Sequence, residues 1–158
     1  RDLKDCDLLI ESITENINIK KSFYEQISKV LPEKTVVVTN SSTLLPSKLA
    51  MYTGRPNKFL SLHFANSIWK NNITEVMGHD KTDKKYFDEV IEFAFKFFDK
   101  DNNGEITYDE IKEVFKDSMI KKSKEEISLK KIISEVDRNG DGVISFEEFS
   151  LIMKRLRN

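Results

Sequence analysis

The chain has 158 residues, of which 39% are hydrophobic and 34% charged, and its formal net charge is −1. This length suits one or two small domains, and the near-neutral charge argues against nucleic acid or an anionic membrane as a partner. The single cysteine, Cys6, excludes an intrachain disulfide framework and predicts a reducing, cytoplasmic location. No apolar run approaches the roughly 20 residues that a membrane span needs.

The first part of the chain predicts alternating strands and helices. Residues 7–11 (DLLIE) form a short apolar run, and residues 35–39 (TVVVT) form a β-branched run typical of a buried strand. Between them, residues 19–31 show helical spacing, with the apolar positions Phe23, Ile27, Val30 and Leu31. Pro32 follows as a stop signal.

The pattern continues to about residue 94. Residues 44–52 predict a short helix that ends near Gly54, and residues 59–64 and 74–77 predict two further strands. A helix opens at Asp83 or Lys84, and its predicted buried face consists of Phe87, Val90, Ile91 and Ala94. This order of elements indicates a partial Rossmann-like α/β segment over residues 1–94.

The second part, residues 95–158, has a different pattern. Helical segments flank two loops rich in Asp, Asn and Gly, at residues 99–110 and 137–148, which form a two-unit internal repeat. The helix that contains residues 89–98 is expected to run directly from the first part into the second. The predicted fold class is therefore mixed, an α/β segment followed by an all-α pair of helix–loop–helix units.

Both loops follow the twelve-residue spacing of a calcium-binding EF-hand, with oxygen ligands at positions 1, 3, 5, 7, 9 and 12 and glycine at position 6. The alternative, two acidic surface turns, is disfavoured because every ligand position is filled twice. Magnesium is the competing metal and should bind these loops more weakly. We therefore predict two calcium ions, held in the first loop by Asp99, Asp101, Asn103, Glu105 (carbonyl), Thr107 and Glu110, and in the second by Asp137, Asn139, Asp141, Val143 (carbonyl), Ser145 and Glu148.

The two loops are expected to act together. Position 8 is Ile106 in one loop and Ile144 in the other, and we expect these residues to pair across a short β-bridge. Calcium would then open a groove able to hold an amphipathic helix of a target. The residues expected to line this groove are Phe95, Phe98, Phe115, Ile133, Phe149, Ile152 and Met153.

The segments FKFFDKDNNGEITYDEI and IISEVDRNGDGVISFEEFSLIM resemble the calmodulin superfamily across residues 94–154. They are most similar to the C-terminal EF-hand lobe of calcium-dependent protein kinases. The resemblance implies a lobe that senses calcium and relieves kinase inhibition by moving against a regulatory helix, so the parent kinase is a second candidate for the helix partner. No kinase Gly-rich loop, HRD or DFG sequence occurs in the chain.

The first part resembles the 3-hydroxyacyl-CoA dehydrogenases over residues 2–94, through DLLIESITENINIKK, VVVTNSSTLLPSKLA, TGRPNKFLSLHFANS and TEVMGH. The resemblance covers the second half of that family's NAD-binding domain. It implies that His63 and Glu75 form an acid/base pair for hydride transfer at a 3-hydroxyl, and that Ser42 contacts the substrate hydroxyl. Further residues that it places in the site, near the nicotinamide, CoA or cofactor phosphates, are Glu15, Lys20, Asn40 and Asn66.

The chain departs from this family in several places. The motif that resembles HFFNP is HFANS here, which puts Ser67 in place of proline, and none of the five glycines forms a GxGxxG phosphate loop. The first βαβ unit is expected before Arg1, and EF-hand sequence takes the place of the family's helical C-terminal domain. NAD is therefore expected as a cofactor only of a complete domain, and we expect this chain alone to fail to bind NADH.

Three hypotheses remain open at this point: a calcium sensor, an NAD-dependent dehydrogenase fragment, and a fusion in which the first part only packs. Without the resemblance, His63 at a strand end would more often be structural, and residues 41–43 would be a plain loop with an N-cap. Because no natural family known to us joins these two halves, we interpret the chain as a chimera, either engineered or produced in sequence assembly.

Overall fold

A computed structural model of the protein describes residues 3–64, 74–114 and 133–155. The first part contains a four-stranded sheet in the order β1-β2-β3-β4. Strands β1 to β3 are parallel, and β4 runs antiparallel to β3. All four strands lie where the sequence predicts them, within one residue at either end: β1 is Leu8–Glu11, β2 is Val36–Thr39, β3 is Phe59–Phe64 and β4 is Thr74–Met77.

The helix between β1 and β2 differs from its prediction. Helix α1 spans Ile17–Ile27, so the predicted range of residues 19–31 is wrong at both ends. The side chain of Asn16 accepts the first amides of the helix and fixes its start two residues earlier. Val30, predicted on the apolar face, lies beyond the helix and is 63% exposed. Phe23, Ile27 and, beyond the helix, Leu31 pack in the cluster as predicted. The fully buried side chains of the helix are Lys20 and Tyr24, which a hydrophobic pattern does not identify.

The single helix predicted for residues 44–52 is also wrong. This segment forms two 3-10 turns, Pro46–Lys48 and Ala50–Thr53, and a third turn follows at Pro56–Lys58. Leu49, with φ −112°, separates the first two turns, and Gly54 in the left-handed region (φ +67°) ends the second. Pro46 begins the first turn and Gly54 ends the second, the places that proline and glycine favour at helix ends.

After the sheet, the described chain includes α2 (Lys84–Phe98), β5 (Glu105–Ile106), α3 (Tyr108–Val114), β6 (Ile144–Ser145) and α4 (Phe146–Arg155). Helix α2 joins the two parts without a break, as predicted, and the predicted face of Phe87, Val90, Ile91 and Ala94 is buried. Strands β5 and β6 pair with Ile106 opposite Ile144, which confirms the predicted β-bridge between the loops.

The two faces of the sheet belong to different hydrophobic clusters. Alternation along β2 sends Val36 and Val38 to one face and Val37 to the other. The face of Val37 packs on α1 and the 3-10 turns, whereas the face of Val36 packs on α2 and the EF-hand part.

The predicted groove residue Phe115 lies outside the described residues. No helix in the described ranges is both long and apolar enough to cross a membrane.

Candidate functional site

The first loop directs its carboxylates toward a common centre. Glu110, in the first turn of α3, accepts the amide of Lys100 at 2.8 Å on Oε1, and the amide and hydroxyl of Thr107 at 2.8 Å on Oε2. Asp99 accepts the amide of Gly104 at 3.0 Å. Asp99, Asp101 and Glu110 each offer one oxygen, and these oxygens lie within 4.8 Å of one another.

The second loop repeats this geometry. Glu148, in the first turn of α4, accepts the amide of Arg138 at 2.8 Å on Oε1, and on Oε2 it accepts the amide of Ser145 at 3.0 Å and its hydroxyl at 2.8 Å. Asp137 accepts the amide of Gly142 at 2.8 Å. Each bond has its counterpart at the same loop position in the first loop, so the two loops have the same internal frame.

The side chains predicted as ligands at positions 3 and 5 contact each other in both loops. Asn103 Nδ2 donates to Asp101 Oδ2 at 3.0 Å, and Asn139 Nδ2 donates to Asp141 Oδ2 at 2.7 Å. The two predicted carbonyl ligands lie where each loop meets its strand, with Glu105 opening β5 and Val143 directly preceding β6. The twelve predicted ligand positions therefore fall in two continuous, equivalent loops.

The backbone at position 6 needs glycine for its conformation and not for space. Gly104 and Gly142 have φ of +89° and +88°, and an added Cβ would meet nothing within 4 Å. Position 4 is also left-handed in both loops, with Asn102 at φ +56° in one and Gly140 at +76° in the other. Asparagine tolerates this region better than most other side chains, which explains why the first loop can have asparagine where the second has glycine.

Both position-12 carboxylates are held in the ionised form. The amides of Arg138 and Ser145 lower the pKa of the Glu148 carboxyl below its ordinary value. Burial works to raise the pKa of Glu110, but hydrogen bonds from Thr107 and Lys100 outweigh it, so this pKa is lowered too. Converging carboxylates together with neutral oxygens form the donor set that a hard divalent cation such as calcium prefers.

A second constellation lies at the carboxyl ends of the parallel strands. Ser42 Oγ, after β2, lies 3.0 Å from His63 Nε2 on β3. Glu75 stands opposite His63 in the antiparallel register of β3 and β4, with its Oε2 3.8 Å from His63 Nδ1. This last distance is an ion-pair distance and is too long for a hydrogen bond. The three residues, which the dehydrogenase resemblance assigns to acid/base and substrate roles, line a cleft of about 60 Å³.

Glu15 connects the loops that follow β1 and β2. Its Oε2 accepts hydrogen bonds from the hydroxyls of Ser41 and Thr43, both at 2.8 Å. Burial works to raise the pKa of Glu15, but these hydrogen bonds and the charge of Lys20 lower it overall. Ser41 Oγ also accepts the amide of Leu44, so this side chain holds the loop after β2 as well as Glu15.

Lys20 and Asn40, which the resemblance also places in the site, already bind other groups of the protein. Lys20 is fully buried, and its Nζ lies 2.6 Å from Glu11 Oε1 and 3.6 Å from Glu15 Oε1. Asn40 accepts the amide of Phe64, which holds the end of β3 beside the histidine. Their roles toward a cofactor stay predictions. Asn66 lies outside the described residues.

Sequence reasoning missed Glu11. Its Oε1 accepts the Lys20 ammonium and the amide of Ile13 at 2.7 Å, and its Oε2 accepts the hydroxyls of Tyr24 at 2.6 Å and Thr39 at 2.8 Å. The signal was an acidic residue that ends an apolar strand, four residues before Glu15. A glutamate in that place can remain buried only if donors surround it, and the network meets this condition.

Comparison with known proteins agrees with the two-part structure. Residues 1–102 match the family described as 3-hydroxyacyl-CoA dehydrogenase, NAD binding domain, and residues 88–154 match an EF-hand domain pair. A 3-hydroxybutyryl-CoA dehydrogenase of Clostridioides difficile is 38% identical over 93 residues, which cover 59% of this chain and 33% of that protein. The two matched ranges overlap at residues 88–102, within and just after α2.

Solved structures give the same result for the first part. A diketoreductase superposes with a TM-score of 0.55 at 52% identity, over 59% of this chain and 33% of its own. The (S)-3-hydroxybutyryl-CoA dehydrogenase of Ralstonia eutropha superposes with a TM-score of 0.55 at 28% identity, over 60% and 34%. The chain thus spans about a third of the length of these relatives. It belongs to the 3-hydroxyacyl-CoA dehydrogenase NAD-binding-domain family and has an EF-hand pair as its second part.

Proposed function

We propose that the protein binds two calcium ions, one in each of the loops 99–110 and 137–148, and that the loops act as a coupled sensor. The observation that carries this proposal is the matched internal frame of the two loops, in which Glu110 and Glu148 occupy equivalent positions. The pairing of Ile106 with Ile144 supports the coupling, because a change in one loop acts on the other through the shared β-bridge.

Electrostatics supports a calcium-dependent change in the loops. Each loop has three carboxylates among its ligand positions, and these charges repel one another until a divalent cation neutralises them. A sensor role like that of the regulatory lobe of calcium-dependent protein kinases is part of this proposal. It is supported by the resemblance of residues 94–154 to that lobe.

The proposal is tested by isothermal titration of calcium into the whole chain. We expect two bound ions, and we expect the double variant Glu110→Gln, Glu148→Gln to bind none, since each change removes a bidentate ligand. The matched control is Glu113→Gln with Glu147→Gln, which removes the same charge at exposed positions beside the ligands. Calcium uptake that survives the ligand variant would contradict the proposal.

A second candidate function is NAD-dependent chemistry on a 3-hydroxyacyl or 3-oxoacyl thioester. The placement of Ser42, His63 and Glu75 favours it, because His63 can exchange a proton with a substrate hydroxyl while the Glu75 carboxylate lies 3.8 Å from its Nδ1. NAD would supply the hydride acceptor when bound. The names of the similar enzymes support the same substrate class.

This second candidate is tested by following NADH oxidation with acetoacetyl-CoA. If the chain has the activity, His63→Ala should abolish it, because the proton donor is lost. His79→Ala is the matched control, since His79 contacts Phe59 in the cluster on the other face of the sheet. Equal loss in both variants, or no binding of NADH by the wild-type chain, would reject this candidate.

A further inference from the structure

We propose that the partner of the EF-hand pair's apolar face is the sheet of the same chain, and that calcium occupancy is thereby coupled to the site formed by Ser42, His63 and Glu75. The coupling rests on the calcium binding proposed above. It concerns what calcium does to the rest of the molecule, which neither the EF-hand nor the dehydrogenase family match assigns.

The EF-hand apolar face already has an occupant in this structure. It is defined here as the side chains predicted to line the groove that lie in the buried core, all at most 7% exposed: Phe95, Phe98, Ile133, Phe149 and Met153. They form one continuous cluster with the sheet residues Val36, Val38, Leu60, Leu62 and Val76. Helices α2 and α4 pack directly against β4, so a separate helix on this face would compete with the sheet.

Helix α4 connects the second loop to the site of Ser42, His63 and Glu75 through its contact with β4. Glu148 belongs to the first turn of α4, and the same helix packs against β4. Strand β4 presents Glu75 to His63. Because a helix moves as a rigid unit, a cation that draws in Glu148 shifts the surface on which β4 rests.

A row of aromatic rings provides a second contact path. Phe64, the residue after His63, lies 5.2 Å from Phe97, measured between ring centroids. Phe97 contacts Phe98 at 5.4 Å, and Phe98 contacts Phe149 on α4 at 6.4 Å. The rings therefore extend from the end of β3 to α4, the helix that follows the second loop.

The first loop touches the same row. Lys100, at position 2 of the loop, places its ammonium 4.8 Å from the centre of the Phe97 ring, while its amide donates to the carboxylate of Glu110. A change in the hydrogen bonds that Glu110 accepts thus acts on Lys100, which also packs against Phe97. Both loops reach the histidine site through packed side chains, the kind of network that can transmit coupling.

The test uses the two histidines as internal reporters in the whole chain. Each gives one signal from its Cε1–H group in a proton–carbon correlation spectrum, and His79 is the control because its ring contacts Phe59 on the opposite face of the sheet. We expect calcium to shift the His63 signal until two equivalents are bound and to leave the His79 signal in place. The shift should be absent in the Glu110→Gln, Glu148→Gln variant.

Calorimetry on the same samples separates the possible failures. Two bound ions with an unmoved His63 signal would overturn the coupling while leaving calcium binding intact. Absence of uptake would overturn the proposed function itself and the coupling with it. Calcium-dependent binding of an amphipathic Leu/Lys helical peptide, with the His63 signal unchanged, would also overturn the inference, since it would mean that the apolar face accepts a separate helix.

A matched pair of valines tests the interface directly. Val76 and Val37 are both buried strand residues, but Val76 faces the EF-hand part and Val37 faces the other cluster. Because coupling is reciprocal and typically 5–150-fold, we expect Val76→Ala to change calcium affinity about tenfold and Val37→Ala less than about twofold. Equal affinities in the two variants would overturn the inference, and the histidine spectra test it independently if Val76→Ala does not fold.

Discussion

Glu11 and Lys20 form an ion pair with both side chains almost fully buried. Removing two charges from water is costly, and their attraction offsets this cost only when the remaining donors and acceptors are also satisfied. Here Tyr24 and Thr39 supply those hydrogen bonds. Burial and the bond to Glu11 raise the pKa of the Tyr24 phenol far above its ordinary value, so it remains a hydrogen-bond donor.

We predict that Lys20→Met destabilises the protein by about 3–5 kcal/mol, because it leaves the Glu11 carboxylate buried without its cation. Urea unfolding of the whole chain measures this free energy. The control is Lys29→Met, at an exposed position just beyond α1, which should change stability by less than about 0.5 kcal/mol. The double variant Glu11→Gln, Lys20→Met should regain part of the loss, because a neutral amide needs no counter-ion. A Lys20→Met variant as stable as the wild type would contradict this account.

The sequence predicts some parts of the two sites and not others. The loop ligands follow from spacing alone, because each ligand lies within twelve residues of the others. The meeting of Ser42, His63 and Glu75 depends on strand order and register, so only the family resemblance indicated it. The Glu11 network joins β1, α1 and β2 by side-chain contacts, and no local pattern encodes such a set.

The sequence predicts the strands more accurately than the helices. The β-branched and aromatic runs of β2 and β3 mark buried strands, and the alternation of Val36, Val37 and Val38 assigns them to the two faces. The apolar positions Phe23 and Ile27 identify helix α1, but its start depends on the polar cap Asn16 and its fully buried side chains, Lys20 and Tyr24, are amphipathic.

Helix α2 is the element that turns two domains into one structure. Its buried residues Ile91, Ala94, Phe95 and Phe98 lie in one cluster with residues of the sheet and of the EF-hand part, and Phe95 and Phe98 contact Phe149 of α4. An amphipathic stripe predicts that such a helix is buried on one face, but it does not reveal which partner covers each turn. That α4 lies against β4 could not be predicted, because it depends on the tertiary placement of residues about 70 positions apart in the chain.

The sheet and the EF-hand part contribute to one hydrophobic cluster, which implies that they also share their stability. A ligand that binds only the folded state stabilises it by about 4 kcal/mol when its concentration is 1,000 times the dissociation constant. If the EF-hand part and the sheet unfolded separately, only amides near the loops would gain this protection. If they unfold as one unit, the gain extends to strands that never touch the ion.

We therefore predict that calcium slows hydrogen exchange at the amides of Val38 and Leu60, in the centre of the sheet, as much as at Ile106 in the bridge between the loops. The expected increase in the free energy of opening is about 4 kcal/mol for each ion held at such a concentration. The reason is that Val38, Leu60 and Ile106 belong to one buried cluster, so opening any of them by global unfolding releases the ions. The measurement is amide exchange by mass spectrometry or NMR with and without calcium, and the Glu110→Gln, Glu148→Gln variant should lose the gain everywhere. Protection confined to residues 84–153 would mean that the sheet unfolds on its own, and the chain would then contain two stability units in contact.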